Sequence, residues 1–156
     1  MKYPNIKVTV VCLPNVEKDI KKVFFEILDD YTKRFNVKVT DKAIKVHVCL
    51  VDYPEESSSA GLTSYAEDEN KILIQMRDPW LSNWEDNPYM VQKFCEILCH
   101  EFVHACQNLT GRKGFKVKGM IVDKENSLEP YWFDPEEMEA RMLEMPYAML
   151  YAQKIL

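Results

Sequence analysis

The stretch Pro88 to Leu109, PYMVQKFCEILCHEFVHACQNL, decides how the rest of the chain is read. Phe94, Leu98, Phe102, Ala105 and Leu109 recur at intervals of three and four, the spacing of one buried helical face. A run of this length is too long for a strand, and Thr110-Gly111 supplies a stop. The stretch therefore predicts a long helix from about Pro88 to Leu109.

Two of the chain's three histidines fall inside that helix, in His100-Glu101-Phe102-Val103-His104. Positions i and i+4 lie about 40° apart around a helix axis, so both imidazoles can reach one ion. Neutral imidazole nitrogens suit Zn²⁺. Glu101 is turned by about 100° from His100 and about 60° from His104. Its carboxylate can stand beside the ion without ligating it. That is the arrangement a metal-assisted hydrolysis needs: the ion acidifies water and a neighbouring carboxylate takes the proton.

Working outward, the flanking pattern predicts an α+β protein. Ile6 to Leu13 is β-rich and bounded by prolines, which reads as a first strand. Asn15 is expected to cap a helix whose buried face is Val16, Ile20, Val23, Phe24, Ile27, Leu28 and Tyr31, ending at Asn36. Ala43 to Val51 alternates as a strand and puts His47 on the face opposite Ile44, Val46, Val48 and Leu50. Glu55 to Ala60 reads as a polar loop.

Leu62 to Ala66 and Lys71 to Met76 flank a polar turn and form a hairpin, with the second strand expected near a sheet edge. Asp78 to Asn87 is loop-like, with Trp80 and Trp84 covering core. Residues 111 to 133 are irregular apart from a short strand at Met120 to Val122. Asp134-Pro135 opens a last helix, which Pro146 should kink or divide. No repeat or linker splits the chain, so 1–156 reads as one domain.

Composition bounds the function. The chain is 47% hydrophobic and 29% charged, with a net charge of −5. That is a globular balance without the basic excess of a nucleic-acid binder. The local cluster Arg112, Lys113, Lys116 and Lys118 reads as a solvated loop. No leader and no membrane span are evident, so a soluble, cytoplasmic protein is expected, with no membrane partner. Five cysteines, mostly in apolar runs, fit reduced thiols better than a disulfide framework. Cys95 and Cys99, beside His100, read as small core residues rather than ligands.

A catalytic zinc site takes three protein ligands and leaves a fourth position open. His47 lies in the wrong layer, so the third ligand is sought in Tyr131 to Arg141, an acidic helix start at the end of a long loop. The motif helix and this segment resemble the gluzincin-type zincin metallopeptidases, above all the small bacterial and phage members with little beyond the minimal fold. The resemblance covers roughly the C-terminal third by motif. Ahead of the motif helix, only the order of elements agrees.

The resemblance implies a small mixed, twisted sheet over the motif helix, a second C-terminal helix, and an edge strand along a cleft. It implies a zinc-dependent peptidase acting on peptide or protein substrates. In several zincin families the Glu of a Glu-x-x-Ala pattern on the second helix is the third ligand, and here that pattern points to Glu137. The residues themselves leave Glu139 and Glu136 open, because Glu137 could instead complete a capping box with Asp134. The expected assignment is zinc on His100, His104 and Glu137, with Glu101 as general base. Gln107 could support a ligand, and Tyr131 or Arg141 could stabilise an oxyanion. The alternative is an inactive zincin-like module whose zinc holds a protein-binding surface together; a fourth protein ligand would mark it. Substrate identity and oligomeric state are not legible.

Overall fold

The computed structural model describes residues 2–11, 14–51, 61–77, 88–114 and 134–155. The expectations for Trp80, Trp84, the loop at 55–60, the strand at 120–122 and Tyr131 lie outside the described residues. Strands β1 (Ile6–Val11), β2 (Ile44–Val51), β3 (Gly61–Ala66) and β4 (Lys71–Arg77) form one mixed sheet in the order β1-β2-β4-β3. Helices α1 (Pro14–Phe35), α2 (Pro88–Thr110) and α3 (Pro135–Leu150) complete an α+β fold. No helix among the described residues is long and apolar enough to cross a membrane.

The alternating strands put their buried aliphatic side chains on one face. In register, Val8, Val46 and Ile72 form one row, and Val10, Val48 and Ile74 the next. All six are buried. The other face carries Lys7, Lys45 and Lys71 in a row, with His47 one row further on, so His47 is turned away from the helices.

The buried face of α1, Ile20 to Tyr31, closes the core against β1 and α2, with Phe24 edge-on to Phe102 at 5.2 Å. All five residues of the α2 stripe are buried. Burial of that many large side chains is the main force holding the helices on the sheet.

Both expected helix ends rest on backbone chemistry. Asn36 takes φ 51°, and the amides of Asn36 and Val37 donate to the carbonyls of Lys33 and Thr32, closing α1 with a Schellman motif. Gly111, at φ 72°, donates to Gln107 and ends α2.

Two expectations are corrected. The first helix begins at Pro14, where a proline's missing N–H costs nothing, so Asn15 lies in the first turn and is not the cap. Strand β4 lies next to the sheet edge, as expected, and β3 is the terminal strand beside it. The reason lies in the burial pattern: β4 buries Ile72, Ile74 and Met76 completely, whereas β3 buries no residue fully. Pro146 does not divide α3, which runs through it to Leu150. Pro146 sits on the exposed side, as does Met142, whose carbonyl loses its helical partner; solvent can replace that bond there.

Candidate metal centre

The site forms where α2 and α3 pack together. The start of α3 is fixed by Asp134, whose side chain accepts from the Glu136 amide at 2.9 Å, and by Pro135 behind it. This places Glu137 in the first turn of α3, over the ligand face of α2.

His100 and His104 turn their Nε2 atoms toward each other at 3.2 Å. Glu137 Oε2 lies 3.1 Å from Nε2 of His100, and Oε1 lies 2.8 Å from Nε2 of His104. These three residues are the one His/Cys/Asp/Glu cluster among the described residues that could hold a metal ion. A tetrahedral zinc with Zn–N of about 2.0–2.1 Å spaces its ligand atoms by about 3.3 Å. The ring nitrogens are 3.2 Å apart, and each has a different oxygen of the one Glu137 carboxylate at 3.1 or 2.8 Å, separations close to that. Two imidazoles and a carboxylate are also a donor set that zinc favours. The residues fit the ion.

The outward ring nitrogens have acceptors of their own. Nδ1 of His100 lies 3.3 Å from Glu144 Oε2, and Nδ1 of His104 lies 2.8 Å from Gln107 Oε1. Such partners orient a ligating imidazole and select the tautomer whose Nε2 is free. The electrostatics agree. Burial pushes the His100 pKa down, but the hydrogen bonds to Glu137 and Glu144 outweigh it and raise it to about 9. His104 is likewise raised, by Glu137 against its own burial. Protons and a metal ion compete for this pocket because both answer the same negative charge.

Glu101 stands next to the cluster and outside it. Thr63, on the helix-facing side of β3, donates its hydroxyl to Glu101 Oε2. Burial raises the Glu101 pKa, while the Thr63 hydrogen bond and the two histidines pull it down. Gly61 makes this approach possible. A Cβ there would meet Met76 Sδ at 2.8 Å, Ile97 Cγ2 at 2.9 Å and Glu101 Cγ at 3.1 Å.

The remaining candidates sort themselves by position. Glu139 is fully buried and turned from the cluster, accepting from Tyr31 Oη at 2.6 Å, Gln107 Nε2 at 2.9 Å and Arg112 Nε at 2.7 Å. Glu136 contributes its backbone oxygen to Gln107 at 3.0 Å. Neither belongs to the His100–His104–Glu137 cluster. Gln107 is buried and not a solvated glutamine. Arg112 is not a solvated loop residue either: it pairs with Glu139 and stacks on Phe35 at 3.7 Å.

Cys95 and Cys99 are buried core thiols whose pKa values burial raises, that of Cys95 to about 12. Sequence reasoning missed Thr63, Glu144 and Tyr31. Only Thr63 left a trace, as a polar residue in a strand position that the register pairs with Ile74.

A cavity of about 510 Å³ lies at the C-terminal end of α2, lined by Tyr65, Gln107, Arg112 and Glu136 among others and by none of the three cluster residues. Compared with protein-family models, with curated proteins and with solved structures, the chain matches none.

Proposed function

We propose that this chain is a zinc-dependent peptidase of the gluzincin type that its motifs resemble, with His100, His104 and Glu137 as the metal ligands and Glu101 as the general base. One observation carries the reading. A carboxylate from α3 meets both inward imidazole nitrogens of α2, at 3.1 and 2.8 Å, while Glu101 is held beside the cluster by a different element. Ligand and base are thereby separated, as hydrolysis requires.

A zinc ion held there supplies a Lewis acid that acidifies water and polarises a carbonyl. The chain's own residues supply the rest. Glu144 and Gln107 hold the two imidazoles in orientation. Thr63 fixes one oxygen of Glu101 and leaves the other to take a proton from the attacking water and return it to the leaving amine. Burial makes Glu101 a stronger base than a solvated carboxylate. The terminal strand β3, beside Glu101, offers backbone to which an extended peptide could pair.

The test is hydrolysis of a quenched fluorescent peptide library by zinc-loaded protein, run beside Glu101→Gln. Cleavage by the wild type that chelation abolishes and Glu101→Gln lacks supports the reading. No cleavage of any library member by fully zinc-loaded wild type contradicts it.

A further inference from the structure

The amide of Gln107 has a donor end and an acceptor end, and its surroundings decide which is which. Nε2 lies 3.0 Å from the backbone oxygen of Glu136 and 2.9 Å from Oε2 of Glu139. Both partners accept, so only the NH₂ end fits there. Oε1 is left facing Nδ1 of His104 at 2.8 Å. An amide oxygen cannot donate, so the hydrogen of this contact sits on Nδ1. Nε2 faces Glu137 Oε1 at 2.8 Å and donates there while no metal is bound; with Nδ1 holding its hydrogen, the Nε2 proton is the one a metal ion displaces.

We propose that Glu139 is a positioning residue: acting through Gln107, its buried carboxylate holds the His104 hydrogen on Nδ1 and so makes Nε2 the atom that a metal ion takes. The consequence for metal binding rests on the reading given under Proposed function. The tautomer itself does not.

Only a carboxylate can do this at position 139. Three donors converge on it: Tyr31 and Gln107 on Oε2, and Arg112 on Oε1. A glutamine has one acceptor oxygen. With its oxygen toward Arg112, its NH₂ meets the NH₂ of Gln107. Turning the Gln107 amide over relieves that contact at the expense of the hydrogen bond to the Glu136 carbonyl, and it sets a donor against Nδ1 of His104 and moves the ring hydrogen to Nε2; either orientation weakens the hold on the ring. Arg112 is what forces the wrong orientation. Its contacting atom, Nε, is as many bonds from the backbone as the Oε1 of a glutamine would be. Arg112→Gln therefore puts an acceptor where a donor stood and lets a glutamine at 139 keep its oxygen on Gln107 and Tyr31.

The experiment has two arms, and neither reads activity. In the first, zinc affinity is measured by competition with a chromogenic chelator for wild type, Glu139→Gln and the double variant Glu139→Gln/Arg112→Gln. The single variant should bind zinc about 10- to 100-fold more weakly, the usual cost of losing an outer partner, and the double variant should regain most of that loss. Equal affinity in wild type and Glu139→Gln overturns the proposal, as does a double variant no better than the single.

The second arm uses metal-free Glu137→Ala at alkaline pH, where the rings are neutral and the carboxylate that competes for a hydrogen on Nε2 is gone. Long-range ¹H–¹⁵N correlations of the His104 ring should place the hydrogen on Nδ1, and a hydrogen on Nε2 overturns the proposal even if a Glu139 variant fails to fold. A wild type that binds zinc but cleaves nothing refutes the peptidase reading and leaves both arms standing.

Discussion

Glu137 Oε1 lies 2.8 Å from His104 Nε2, although the two residues belong to different helices joined by a long connection. The pairing makes Glu137, and neither Glu139 nor Glu136, the proposed third ligand. Glu137→Ala should weaken zinc binding at least 100-fold, because it removes the carboxylate that, among the described residues, meets both inward ring nitrogens. Glu136→Ala should leave affinity within about threefold, since its hydrogen bonds to Gln107 and Asp134 are made by its backbone, which the substitution keeps. Competition titration with a chelator reads both. Equal losses in the two variants would contradict the assignment.

Replacing Glu101 separates binding from chemistry. Glu101→Gln should keep zinc affinity near the wild-type value while kcat falls about 10²- to 10⁴-fold, the usual worth of a positioned general base. Thr63→Val should act more mildly and in a diagnostic direction. The Thr63 hydrogen bond lowers the Glu101 pKa, so its loss should move the acidic limb of the rate–pH profile to higher pH. Steady-state kinetics across pH checks both, and an acidic limb moved to lower pH would refute the role given to Thr63.

The raised His100 pKa makes the metal-free protein sensitive to alkali. In the unfolded chain the ring titrates near 6.5, and in the folded protein near 9. The folded state therefore binds the extra proton across that interval. The stabilisation is fully present below pH 6.5 and is lost as pH rises through 9. Metal-free protein should lose on the order of 3 kcal/mol over this window. Zinc-loaded protein, whose histidines carry no such proton, should stay nearly flat. Denaturant titrations of both forms at several pH values decide it.

Gly114 sets the start of α3. Its φ is 84°, and a Cβ there would meet the backbone of Pro135 and Glu136 at 2.5 Å. Gly114→Ala should cost about 1–3 kcal/mol in stability and also weaken zinc binding, because the displaced turn carries Glu137. Gly111→Ala is the control. Its φ of 72° is also left-handed, but nothing lies within 4 Å of the added carbon. It should lower stability by about 1 kcal/mol and leave zinc affinity alone. Melting curves with and without zinc test the pair.

What was legible in the sequence was local. The α2 stripe and the two histidines follow from helical spacing, and Asp134-Pro135 marks the start of α3 through its own capping chemistry. The choice among Glu136, Glu137 and Glu139 depends on how α3 lies against α2, which no helical period encodes. Glu137 and Glu139 are about 200° apart around their axis, and only the packing shows which of them meets the rings.

Distance in the chain hid the rest. Arg112 sits in a run of basic residues and reads as solvated, because Glu139 and Phe35, its partners, come from other helices. The pairing of β4 with β2 was hidden for a similar reason: it depends on a strand order that alternation alone does not fix. Thr63 and Glu144 act on the site across strand and helix contacts that have no local signature.

The central claim is that two imidazoles and one carboxylate hold a zinc ion with a position left open. Zinc K-edge X-ray absorption on protein loaded with one equivalent reads that shell directly. The account predicts two imidazole nitrogens at about 2.0–2.1 Å with light oxygen donors at about 2.0–2.2 Å, a pattern that Glu137→Ala alters. A sulfur shell at about 2.3 Å, or a spectrum free of imidazole scattering, would contradict it.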